Sequence, residues 1–155
     1  MRIRKILSLA MILAVAAVVL TACGTPREPM EASVFRSVME SAGYEIIDLV
    51  EQGDGTGVAI QDLVVQTTNY AFVFGEFIAE SYAIRAFNSM RAEIEAGQGN
   101  TRSHRSVSMA NHSLFEQTSA GVFGYVYRVD NTILYVIADS DYRDQVRELI
   151  DRITE

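Results

Sequence analysis

The chain has 155 residues, with 20 acidic against 13 basic side chains, a formal net charge of −7, two histidines and a single cysteine. One cysteine excludes an internal disulfide framework, and the acidic balance argues against a nucleic-acid partner. The length suits one domain with a sizeable core better than two.

The first segment is read from Arg2, Arg4 and Lys5, followed by the apolar run ILSLAMILAVAAVVL, which stops at Thr21. This is the pattern of a secretory signal peptide. The run is shorter than the ~20 residues that cross a bilayer as a helix, and it ends in small residues, so a retained transmembrane anchor is the weaker reading. Leu20, Thr21, Ala22 and Cys23 resemble a bacterial lipobox. That resemblance implies cleavage between Ala22 and Cys23 and a diacylglycerol on the Cys23 sulfur, against the alternative of ordinary cleavage that leaves a thiol. Two acyl chains meet the requirement that stable attachment takes more than one. The expected organisation is a signal peptide over 1–22, a lipidated cysteine and short tether over 23–30, and an extracytoplasmic domain over 31–155. From Cys23 onward there are ten arginines, no lysine and twenty acids, a net charge of −10, which disfavours lying flat on an anionic membrane and excludes Schiff-base chemistry. The tether GTPREPME reaches about 25 to 30 Å when fully extended at ~3.5 Å per residue, so the domain works close to its membrane.

Further along, ASVFRSVMESAG places Phe35, Val38, Met39 and Ala42 at helical spacing, with Gly43 positioned to end the helix. Two strand-like runs follow, YEIIDLV and GVAIQDLVVQ, separated by EQGDGTG. Gly53, Gly55 and Gly57 lead from strand to strand, so they read as a turn; a phosphate loop would lead into a helix. TNYAFVFGEF gives a third strand, and Tyr82, Ala86, Phe87, Met90 and Ile94 form the apolar stripe of a helix over about 78–96. RSVSMANHSLFEQT reads as two short strands around Ala110 and Asn111. AGVFGYVYRV, the pair Asp130 and Asn131, and TILYVIAD form a hairpin with a two-residue loop. A last helix, YRDQVRELIDRI, carries Tyr142, Val146, Leu149, Ile150 and Ile153 on one face. Asp139, Asp141 and Asp144 at its start suit helix capping and the dipole better than a cation loop, which needs further ligands and a sharp-turn glycine. The order helix, three strands, helix, four strands, helix predicts an α+β domain built on a single, mainly antiparallel sheet.

The strands do not alternate apolar and polar as a sheet with one wet face would. Tyr70, Phe72 and Phe74 share one face of the third strand, while Ala71, Val73 and Phe77 share the other. The two-residue loop pairs Tyr127 with Leu134 and Tyr125 with Val136, putting Phe123, Tyr125 and Tyr127 on one face. Either helices cover both faces, the usual meaning of continuously apolar strands, or Tyr70, Phe72, Phe74, Tyr125 and Tyr127 form an aromatic binding patch.

The catalytic inventory is thin. His104 and His112 have no cysteine or carboxylate at ligand spacing, and no GxSxG, HExxH or SxxK motif occurs. Apart from pairs among the twenty acids, whose meeting in space a sequence does not show, the chain offers no catalytic residue, metal ligand or cofactor site. Arg128 and Asp130 read as a structural ion pair beside their turn. The segments ending in Gly43 and Tyr44, SMANHS, and RVDNTILYVIADSDYRDQV resemble small single-domain α+β lipoproteins of Gram-positive bacteria with no assigned activity. The resemblance implies a lipid-anchored protein of the cell membrane, facing outside the cytoplasm. The expected function is a non-enzymatic ligand-binding or sensing module. The alternatives are a docking subunit for an envelope transporter or sensor protein and, more remotely, a carboxylate-based hydrolase.

Overall fold

The structure is a computed structural model that describes residues 26–51, 57–97 and 101–155. Among these, the order is α1 (Ala32–Ser41), β1 (Ile47–Asp48), β2 (Ala59–Gln66), β3 (Tyr70–Phe77), α2 (Glu80–Ala96), β4 (Thr101–Ser108), β5 (His112–Ser119), β6 (Val122–Val129), β7 (Thr132–Asp139) and α3 (Arg143–Thr154). A short 3-10 turn, Ser140–Tyr142, leads into α3. The seven strands form one sheet in the order β1-β2-β3-β7-β6-β5-β4, and every neighbouring pair is antiparallel. The α+β architecture expected from the sequence is therefore present, with the same alternation of helices and strands.

Local chemistry sets the boundaries. The Asp130 and Asn131 loop forms as expected, with Asp130 at φ 48°, and it fixes the register Tyr127 to Leu134 and Tyr125 to Val136. A second two-residue loop, Ala120 and Gly121 with φ 50° and 83°, begins β6 two residues later than the apolar pattern suggests. β4 and β5 are full eight-residue strands, longer than the short pair expected. β1 is shorter than expected because the Asp48 carboxylate turns back and accepts hydrogen bonds from the backbone N–H groups of Val50 and Glu51, both at 3.1 Å. Arg36 of α1 holds the same carboxylate at 2.5 Å. These donors hold Asp48 below the usual carboxylate range, the Glu51 N–H contributing most.

Helices cover both faces of the sheet. On one side, Phe35, Val38 and Met39 of α1 and Val146, Leu149, Ile150 and Ile153 of α3 pack on Leu63, Val65, Phe72, Phe74, Leu134 and Val136. On the other, Phe87 and Ile94 of α2 pack on Phe115, Val126 and Ile133. Strands buried from both sides must be apolar at every position, which explains the missing alternation. This arrangement overturns the alternative of an open aromatic patch: Tyr70, Phe72, Phe74, Tyr125 and Tyr127 all belong to the α1/α3 core, none more than 8% exposed, and of the five only Tyr125 and Tyr127 border a cleft beside α3. Tyr70 is tied to its neighbours by a hydroxyl pair with Tyr44 and a 3.2 Å hydrogen bond from Gln145. Burial and the Tyr44 contact push its hydroxyl up to about 12.

Candidate functional site

On their shared face α1 packs over β2 and β3 and α3 over β7, with Arg143 and Arg147 of α3 reaching across to Glu116 of β5. The step between helix and sheet is a cleft of about 260 Å³ lined by Arg27 of the segment before α1, Arg105 of β4, His112 of β5, Tyr125 and Tyr127 of β6, and Arg147 of α3. Register explains the convergence. Arg105 sits opposite Glu116, which sits opposite Tyr125, while Leu114 sits opposite Tyr127, so these side chains share one face of the sheet.

Glu116 sets the electrostatics. It is a buried carboxylate held by two guanidinium groups from successive turns of α3, Arg143 at 3.2 Å and Arg147 in closer contact. A buried acid needs such partners, since desolvation penalises an isolated charge by several kcal/mol. Arg147 also lies over the rings of Phe123 and Tyr125, 5.5 and 5.6 Å from their centroids. Two arginines on one acid leave one positive charge in excess; Arg27 and Arg105 add two, and Asp151 in the cleft wall removes one. The cleft is thus net positive in a chain that is net negative. His112 responds to that field: burial and the charges of Arg27 and Arg128 hold its imidazole below its ordinary 6.5, favouring the neutral form. Burial likewise pushes the Tyr125 and Tyr127 hydroxyls up, so they stay protonated as hydrogen-bond donors. The cleft therefore offers guanidinium and phenol donors to an anion.

The other residues singled out by the sequence are placed as follows. Ala22 and Cys23 lie outside the described residues, as do Gly53 and Gly55. Gly57, at φ 73°, stands two residues before β2, in keeping with a turn. His104 is opposite Gln117 and rests on the Phe115 ring at 5.2 Å, whereas His112 is on the face of the cleft, so the two do not meet. Arg128 pairs with Glu80 at 2.9 Å and donates to the Asp130 carbonyl at 3.1 Å; its ionic partner is on α2 and not the turn aspartate. Asp144 lies in the first turn of α3, but no side chain caps that helix, so the acids act there through the dipole alone. Among the described residues no group of three or more His, Cys, Asp or Glu could hold a metal ion, and no helix is long and apolar enough to cross a membrane.

Sequence reasoning did not find Arg27, Arg105 and Arg147 as a set. The one available signal was the pair Arg143 and Arg147 at helical i, i+4 spacing. No protein-family model and no curated protein sequence matches the chain. Among solved structures, the chain is similar to the crystal structure of a GTP binding regulator from Thermotoga maritima, with a TM-score of 0.45 and 13% identity over 83% of this chain and 91% of that one.

Proposed function

We propose that the protein is a lipid-anchored, extracytoplasmic binding or sensing module, without catalytic activity, that takes a small anionic ligand in the arginine-lined cleft. The observation that carries the reading is the convergence of Arg27, Arg105 and Arg147 on one cleft, from three distant parts of an acidic chain. Planar guanidinium groups suit carboxylate or phosphate oxygens, and the adjacent tyrosine hydroxyls add neutral donors. The anchor part of the reading rests on the signal-like start and on Leu20 to Cys23.

Inorganic phosphate is a sufficient first probe. Titrated into the domain, it raises the His112 imidazole pKa measured by NMR, because a bound anion offsets the Arg27 and Arg128 charges that hold it down. Arg105→Gln removes an exposed cleft arginine without disturbing the core and weakens that response. An unchanged His112 titration at saturating phosphate contradicts an anion site here.

A second reading has its own observation. β4 is a full-length edge strand whose Ser103, His104, Arg105 and Ser106 are exposed, and such an edge accepts an added strand from a docking partner. Crosslinking from His104→Cys to an envelope protein in the native membrane would favour docking over small-ligand binding.

A further inference from the structure

The segment before α1 is fastened to the domain closer to Cys23 than its sequence suggests. The Arg27 N–H donates to Asn111 Oδ1 at 3.3 Å, and Asn111 Nδ2 donates back to the Arg27 carbonyl at 2.7 Å. Three residues on, the Met30 N–H donates to the Thr132 hydroxyl at 3.2 Å, and the Met30 side chain is buried. Both fastenings lie at one end of the sheet, where the Asp130 N–H donates to the Asn111 carbonyl and joins the β6–β7 turn to the β4–β5 loop. Only Gly24, Thr25 and Pro26 stand between Arg27 and Cys23, so the leash reaches at most ~14 Å at ~3.5 Å per residue. β6 alone, eight residues long, spans about 26 Å at ~3.3 Å per residue. A lipid on Cys23 therefore holds this end of the sheet toward the membrane, and the leash is too short for the domain to turn end over end.

The same end gathers exposed apolar side chains. Ile78 is 60% exposed and Met109 49%, with Ile60 and Ile84 also open to solvent. The Phe77 N–H donates to the Asn131 carbonyl, and the Ile78 N–H donates to the Val58 carbonyl, which fixes Ile78 beside the turn and the start of β2. Ile84, in the second turn of α2, and Met109 line one hollow with Phe87. At the opposite end, by contrast, the exposed large apolar side chain among the described residues is Val122.

We propose that this end of the domain seats on the lipid surface, with Ile78, Ile84 and Met109 entering the boundary between headgroups and acyl chains. The inference rests on the lipid anchor at Cys23 and deepens that reading by giving the anchored domain one orientation. The occupant is lipid because the leash brings these side chains to the bilayer in every anchored molecule. At this end Glu76, Glu80 and Asp130 offset the exposed Arg27 and the Arg128 side chain, so anionic headgroups add little net attraction and the contact is apolar, with little dependence on salt.

The test uses the full chain, expressed with its signal in a bacterial host, extracted in detergent and reconstituted into vesicles of phosphatidylethanolamine and phosphatidylglycerol. With the Cys23 sulfur acylated, Ile78→Cys, Met109→Cys and Val122→Cys each carry a single reactive thiol for an environment-sensitive fluorophore. Seating predicts a blue shift and loss of quenching by a neutral aqueous quencher at positions 78 and 109, unchanged by high salt, with neither effect at 122. Equal quenching at all three positions, in protein whose mass includes the diacylglyceryl group, overturns the seating and leaves the anchor standing. A mass without acyl groups removes the anchor and the seating together. Shielding in native membranes but not in pure lipid shows that a protein covers this end and overturns the lipid contact.

Discussion

His112 ties the electrostatics of the cleft to stability. Its folded pKa lies below the ordinary 6.5 because burial and then Arg27 and Arg128 oppose the imidazolium. The unfolded chain therefore takes up this proton first as pH falls. The contribution of His112 is fully present above 6.5 and is lost as pH drops from there toward the lower folded value. Urea unfolding between about pH 7 and about pH 5 is expected to show a steeper fall in midpoint for the wild type than for His112→Asn, whose side chain does not titrate. Arg147 has a larger role. Arg147→Met is expected to cost about 1 to 3 kcal/mol in chemical denaturation, because Glu116 then keeps Arg143 as its one ionic partner in a buried position. At this scale the sequence was informative only where a turn sets register. Asp130 and Asn131 fix Tyr125 opposite Val136 through two residues of local chemistry. Arg105 opposite Glu116 is likewise the register of a turn at Ala110 and Asn111, the irregularity between Thr101 and Ser103 lying beyond it; what no local pattern encodes is that Arg27 and Arg147 meet Arg105 in one cleft.

The packing of α2 on the sheet turns on one contact. A Cβ built on Gly124 of β6 would stand 2.6 Å from Ile94 Cγ2, so the glycine lets the helix approach the strand. Gly124→Ala is expected to destabilise the fold by about 1 to 3 kcal/mol, since a buried β-branched neighbour has little room to move. Adding Ile94→Ala, which removes Cγ1, Cγ2 and Cδ1, should recover part of that loss, so the double variant unfolds at higher denaturant than additivity predicts. A double variant that is simply additive would show that the helix does not lean on this glycine. Both-face apolarity in β3, β6 and β7 announced helices on each side, because every position of a doubly covered strand must leave water. The same apolarity also permitted an aromatic patch, and Tyr70, Phe72 and Phe74 look alike in sequence whether a helix or a ligand covers them. Ala120 was misplaced into a strand because a non-glycine residue at φ 50° is uncommon and carries no compositional mark.

At the scale of the molecule, the proposed anchor would make the cleft and the apolar end parts of one arrangement, since Arg27 both lines the cleft and stands four residues from Cys23. Cys23→Ser is expected to move the protein from the membrane fraction to the medium, and continued sedimentation with membranes would count against acylation. Released whole as expected, that variant would also allow whatever the cleft holds to be weighed. The first measurement is native mass spectrometry of the Cys23→Ser protein, secreted by its own host and recovered gently from the medium, beside the same protein carrying Arg105→Gln. An anionic small-molecule mass on the first, diminished on the second, is the predicted result. A bare chain, or an excess mass of protein size, would contradict a small anion in the arginine cleft.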